Sequence, residues 1–405
     1  MTTHCQTKLK QMKNLLFALS LFALISCNNE NSPTYKPNSI GTQGKVDVVM
    51  DERLWEGRLG EIVQEKLAPL IEYYPNEEYL FDLSHSSKKQ KKNITTIAFY
   101  NVENLFDVVD NPNTADDDFT PKGKKSWTQK RYNIKIRKLS SVISQLGVNR
   151  SKNPPAIVGL VEVENAKVVS DLANSSYLRK HHYGYVHYDS PDERGIDVAL
   201  LYSKVAFELL DSKTYPVYLE KETGERDYTR DILKVSGNLY GELVHILVNH
   251  WSSRREGVIE SEPKRIITAE TARLIIEEIK EKEMSPKIII MGDFNDDPTS
   301  KSVQEYLVQD DFYNPMKSML DKEKLGTLTY DGNWNLFDQI IFSNNFLEEK
   351  KGSLYFKHAE IFNKRWMKTN RGKYKGSPFR TYIGPWYKGG FSDHFPVYAF
   401  LKKND

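Results

Sequence analysis

The chain has 405 residues, of which 39% are hydrophobic and 28% charged, and its formal net charge is +2. That composition belongs to a globular protein with a large core and one or two domains, and a charge so small singles out no partner. Two cysteines, Cys5 and Cys27, leave no material for a disulfide framework or a thiolate metal cluster.

The first candidate element is MKNLLFALSLFALISC, residues 12–27. A lysine precedes a short apolar run that ends in small residues and a cysteine. It reads as a signal peptide, too short and wrongly flanked for a membrane span. The end of the run resembles a bacterial lipobox, which implies cleavage before Cys27 and lipidation of Cys27; a plain signal peptide with an incidental cysteine is the alternative. The expectation is an exported protein, lipid-anchored to the cell envelope at the periplasm or outer membrane. Removal of residues 1–26 deletes Lys8, Lys10 and Lys13 and no acid, so the remaining chain is close to neutral.

Residues 28–45 are rich in Asn, Ser, Pro and Gly and read as a tether. Residues 46–83 carry no assignable chemistry and resemble the opening of a lipoprotein family of unknown function. Residues 84–93, SHSSKKQKKN, form a polar, basic linker. The expected organisation is a signal peptide over 1–27, a tether, short segment and linker over 28–93, and one catalytic domain over 94–405.

From residue 94, strand-like apolar runs recur: TTIAFYNV, AIVGLVEV, GIDVALLYS, LVHILVNH, KIIIMGDF, DQIIFS and FPVYAFL. Residues 130–146 place Leu139, Val142, Ile143 and Leu146 on one helical face. A second helix is predicted over 263–282, opening at Pro263 and carrying Ile267, Leu274, Ile275 and Ile279. Strands and helices in alternation argue for an α/β domain with helices outside the sheets.

Several runs end in polar residues. Asn101 and Glu103 follow the first, Glu162 and Glu164 the second, Asn249 and His250 the fourth, and Asp293 and Asn295 the fifth. Asp338 opens the sixth, and Asp393 and His394 precede the last. A single Asp or Asn in such a place is usually a turn residue or helix cap. Six such placements together point to a site. Carboxylates and amides suit a hard cation, Mg²⁺ or Mn²⁺, that keeps positions open for phosphate oxygens. Two histidines and a spare carboxylate can then stabilise charge and move protons. The motifs of zinc peptidases, P-loop nucleotide binders, serine hydrolases and dinucleotide binders are absent.

YNVENLFD, GLVEVEN, VNHW, MGDFND, FDQIIFS and SDHFPV, in that order, resemble the motifs of the endonuclease/exonuclease/phosphatase superfamily over residues 94–402. The resemblance implies a four-layer sandwich, two packed mixed β-sheets flanked by helices. It implies metal ligation by Glu162, with Asn101 beside it, Glu103 where some members place an acidic ligand, and Asp393 near the metal. It implies that Asp293 orients or deprotonates the attacking water and that Asn295 holds phosphate. His394 is implied at the scissile phosphate with Asp338 as its carboxylate partner, and His250 as a second histidine. Glu164 is expected to support a loop, and Asp197 to pair with Arg194 or to support a neighbouring strand.

Two regions bear on the substrate. Asn249, Arg254 and Arg255 lie next to His250, and arginine forks suit phosphate oxygens. Residues 350–388 hold eleven Lys or Arg, one acid (Glu360) and nine aromatics. Basic residues attract phosphate and exposed aromatics stack on bases. The expectation is a monomeric hydrolase of phosphodiesters, nucleic acid first, with a small or lipid phosphate as the alternative substrate and a non-catalytic binding lipoprotein as the remaining one.

Overall fold

The computed structural model describes residues 94–404, apart from 321–324 and 331. The expected signal peptide, Cys27, the tether and the linker all lie outside the described residues.

Twelve strands build two six-stranded sheets. In chain order they are β1 (Ile94–Leu105), β2 (Ile157–Val163), β3 (Tyr183–His187), β4 (Asp197–Ser203), β5 (Phe207–Tyr215) and β6 (Ile232–Leu239). The others are β7 (Glu242–His250), β8 (Ile288–Asp293), β9 (Phe312–Tyr313), β10 (Asp338–Ser343), β11 (Leu354–Ile361) and β12 (Val397–Lys403). The first sheet runs β11-β12-β1-β2-β4-β3 and the second β9-β10-β8-β7-β6-β5. Both are mixed: β1 lies parallel to β2, and β7 parallel to β8, among antiparallel neighbours.

Alternate residues of each strand serve two different cores. Ile97 and Phe99 of β1 face the second sheet, where Val248, Ile289, Met291 and Ile340 meet them. Ala98 and Tyr100 face outward, onto Leu139 and Val142 of α1 (Gln129–Ile143) and Leu172 of α2 (Ala166–Ala173). On the far side, Ile288 and Ile290 of β8 pack on Ile275, Ile276 and Ile279 of α3 (Val258–Lys282). Helix, sheet, sheet and helix therefore form the expected four-layer α/β sandwich. Each central strand is covered on both faces, which explains runs too apolar for simple alternation. The two sheets pack closely at Gly159, where a Cβ would lie 2.5 Å from Met291 Sδ.

α1 follows the predicted face: Leu139, Val142, Ile143 and Leu146 are all buried, and Thr128 caps its first turn by accepting from Arg131 N. α3 differs. It begins at Val258, so Pro263 sits inside it. Proline's fixed φ is helical, and the hydrogen bond it forgoes lies near the amino end. The buried face is Arg265, Thr268, Ala269, Ala272, Ile275, Ile276 and Ile279, whereas Leu274 is 73% exposed. Residues 354–361, within the basic stretch, form β11, an edge strand paired to β12.

Candidate active site

The carboxyl ends of both parallel pairs, β1/β2 and β7/β8, open at one edge of the sandwich, where ligands of open α/β sheets bind. In the second sheet His250 stands opposite Asp293, and Asp293 opposite Asp338, so three adjacent strands present one polar row. The first sheet faces that row with Asn101 and Glu162.

Glu162 is delivered by a bulge. Val161 and Val163 pair with β1 and β4 on either side of it, and Glu162 itself is skipped in both ladders. Its φ is +62°, and Glu103, Asn104 and Asn295 are also left-handed, at +53°, +51° and +48°. Such backbone costs on the order of 1–3 kcal/mol per residue and gathers where side chains must be re-aimed.

Asn101 ties the two sheets together. Its Nδ2 donates to Glu162 Oε1 at 3.3 Å and to Asp293 Oδ2 at 3.0 Å, while its Oδ1 accepts from Glu103 N. Glu162 Oε2 accepts from Asn104 N at 2.8 Å, and Asp293 Oδ1 from Asn295 N at 3.0 Å. Asp293 Oδ2 lies 3.9 Å from both His250 Nε2 and His394 Nε2, and His250 Nε2 is 3.9 Å from Glu162 Oε1.

The two histidines are pushed in opposite directions. His394 Nδ1 bonds Asp338 Oδ2 at 2.7 Å. Burial works against its charged form, but Asp338, Asp293 and Asp393 together hold it well above the ordinary histidine value. Burial drives His250 well below that value, and Arg230, Arg194 and His394 push the same way. Burial raises Asp293 to about 6, with Asp338 adding to the push and His394 and Asn101 opposing it.

Other expected residues stand elsewhere. Asn249 lies on the opposite face of β7 from His250. It is fully buried, with Trp251 Nε1 on its Oδ1 at 3.2 Å, so it does not reach the substrate face. Arg254 spends its fork on the protein: Nε donates to Asn295 O at 2.7 Å, Nη2 reaches Asp296 Oδ1 at 2.5 Å, and the guanidinium lies over Phe337. Arg255 is exposed. Asn295 donates its Nδ2 to Trp251 O at 3.0 Å. Glu103, expected as a metal ligand, accepts from Thr381 N at 2.6 Å and faces Lys135 and Arg380, each at 3.6 Å. Asp393 meets Arg380 Nη2 at 2.5 Å. Glu164 accepts from Asp107 N and braces that loop. Asp197 holds His187 of the neighbouring strand at 3.0 Å, not Arg194.

Sequence reasoning missed several supports. Ser392 donates to Asn101 O at 2.7 Å and accepts from His394 N at 3.0 Å. Its place in SDHFPV was the available signal. Buried Asp296, in MGDFND, binds Arg265 as well as Arg254 and so fixes the turn after Asp293. Arg230 links Asp192 to Trp251 O behind His250, with no local motif to reveal it.

The donor set fits a hard divalent cation. Glu162 is a carboxylate brought to the cleft by its bulge, its near neighbours are the amide of Asn101, Asn104 N and the ring of His250, and it pairs with no Lys or Arg among the described residues. Asp293, Asp338 and His394 also offer ligand atoms within 4.8 Å of one another, but Asp338 is committed to His394 Nδ1.

The model of the Endonuclease/Exonuclease/phosphatase family matches residues 96–403. The chain belongs to this family. A second model, for a domain of unknown function, matches residues 39–108, most of them outside the described residues. No curated protein matches. Among solved structures, a humanized D. rerio TDP2 is 14% identical, with 76% of this chain and 99% of that chain covered at a TM-score of 0.48. An endonuclease/exonuclease/phosphatase family protein from Bacteroides thetaiotaomicron is 17% identical, with 77% and 95% covered at 0.47. A mannosyl-6-phosphatase from the same organism is 19% identical, with 76% and 99% covered at 0.45. At such identities these neighbours speak to neither substrate nor mechanism.

Proposed function

We propose that this family member hydrolyses phosphate esters by water attack on phosphorus, using a divalent cation, Mg²⁺ or Mn²⁺, held at Glu162. One observation carries the reading. Asp293 Oδ2 stands 3.9 Å from both His250 Nε2 and His394 Nε2, so a buried carboxylate and two imidazoles with opposite pKa shifts converge at the strand ends. Asp293, raised towards neutrality, orients water and takes its proton. His394, held cationic by Asp338, stabilises charge on the phosphate oxygens. His250, with its proton on Nε2, donates to another phosphate oxygen. The ion, when bound, supplies further positive charge to the phosphate. Asn101 keeps Glu162 and Asp293 apart and aligned.

The substrate class we favour is the phosphodiester of nucleic acid, supported by the cationic stretch that leads into Asp393 and His394. A small phosphate ester is the second reading, and a specific observation favours it. Of the nine aromatics between 350 and 388, only Tyr374 and Trp386 stand exposed, at 49% and 70%, so little stacking surface is left for bases. Incubation with plasmid DNA, RNA, a bis-aryl phosphodiester and sugar phosphates, each with Mg²⁺ or EDTA, separates the two. Metal-dependent nicking of the plasmid supports the nuclease reading, and turnover of small esters alone overturns it.

We also propose that the chain is an exported monomer anchored by lipid on Cys27, on the strength of the apolar run over 12–27. Among the described residues no helix is long and apolar enough to cross a membrane. Fatty-acid labelling that persists in Cys27→Ser would contradict the anchor, and a dimer mass in solution the monomer.

A further inference from the structure

Glu103, buried on β1, and Asp393, next to His394, are two carboxylates each already met by a basic side chain. Arg380 Nη2 lies 2.5 Å from Asp393 Oδ2, and Arg380 Nε lies 3.6 Å from Glu103 Oε1. Lys135, fully buried, adds its Nζ at 3.6 Å from Glu103 Oε2 and is itself held by Thr381 Oγ1 at 2.6 Å and Phe391 O at 2.8 Å.

Arg380 is built into place. Gly390 N donates to Arg380 O at 3.2 Å and Phe391 N to Phe379 O at 2.6 Å, so residues 379–381 lie alongside the loop that carries His394 into β12. Only a glycine allows that approach: a Cβ on Gly390 would fall 1.9 Å from Phe379 O and 2.2 Å from Arg380 O. Thr381 N then bonds Glu103 Oε2 at 2.6 Å, which pins the same segment to β1. Two carboxylates thus face two cations, and the cluster is locally neutral. Glu162 differs: its near neighbours are the amide of Asn101 and the ring of His250.

We propose that the Arg380 guanidinium takes the place a second divalent ion would occupy between Glu103 and Asp393, so that this active centre holds one ion, on Glu162. This rests on the reading of Glu162 as an ion ligand. It also gives the segment after β11 a role in the site. Arg380 is a positioning residue that sets the ion count and ties this segment to the reacting groups.

The test counts ions directly. The full chain is titrated with Mn²⁺, and free Mn²⁺ is read by electron paramagnetic resonance, with the fold followed by circular dichroism. The wild type is expected to bind one ion, Arg380→Lys one, and Arg380→Gln two. Adding Glu103→Gln to Arg380→Gln is expected to return the count to one. Two ions on the wild type would overturn the inference and leave Glu162 as an ion ligand. No ion on the wild type would overturn both. A single ion on a folded Arg380→Gln would show that Arg380 is not what closes the second position.

Discussion

His394 and Asp338 meet across 56 residues of sequence, Nδ1 to Oδ2 at 2.7 Å, with Asp338 completely buried. The bond fixes which ring nitrogen faces the cleft, and the carboxylate holds the imidazole charged. Asp338→Asn keeps the shape and removes the charge. The expected loss of turnover is about 10²–10⁴-fold. The rate should also begin to fall at lower pH on the alkaline side, because His394 loses the partner that raises it. A pH–rate profile of the variant against wild type checks this; an unmoved alkaline limb would mean that His394 does not act as a cation.

Asp293 governs the acid side. Burial raises it to about 6, so the base is protonated as pH drops through that range and turnover falls with it. For stability the sign is reversed. A carboxylate raised above its ordinary value disfavours the fold when ionised, so Asp293→Asn is expected to be stabilising above about pH 6 while abolishing activity. The effect builds from about pH 4, the ordinary carboxyl value, to about pH 6, so thermal melting at pH 4 and pH 8 should show it chiefly at the higher pH.

Asn101 donates to both Glu162 and Asp293. Its oxygen is engaged by Glu103 N, so it orients the ion ligand from beside it. Asn101→Ala is expected to weaken Mn²⁺ binding by about 10–100-fold, the usual cost of losing an outer partner. Isothermal titration measures it. Unchanged affinity would leave Glu162 held by its bulge and Asn104 N alone.

At Gly159 the two sheets pack closely. Gly159→Ala would push on Met291 Sδ and the Phe99 ring, a case of overpacking expected to cost about 1–3 kcal/mol. Urea unfolding should show that loss with activity per folded molecule retained.

Much of this was legible in the sequence, for physical reasons. Runs such as KIIIMGDF are buried on both faces and stand out as apolar. β5, FELLDSKTY, is an edge strand with mostly exposed side chains, and β6 carries Lys234 and Ser236 within it, so neither has an apolar run to find. His250, Asp293, Asp338, His394 and Glu162 could be singled out because several chemically coherent polar residues end apolar runs, and the fold brings them together. Asn249 was not, since neighbours on a strand point to opposite faces and only the register says which. Arg254 was misjudged because its partner, Asp296, lies 42 residues away. A much longer separation in sequence hid Arg380 from Glu103.

The most direct measurement is the hydrolysis rate of a bis-aryl phosphodiester by residues 94–405 in Mg²⁺, after EDTA, and after Mg²⁺ is restored, beside Asp293→Ala and His394→Ala. Turnover that vanishes with EDTA, returns with the ion and falls at least about 10²-fold in each variant is the expected result. Turnover indifferent to EDTA, or undiminished in Asp293→Ala, would contradict a metal-dependent attack by water at this site.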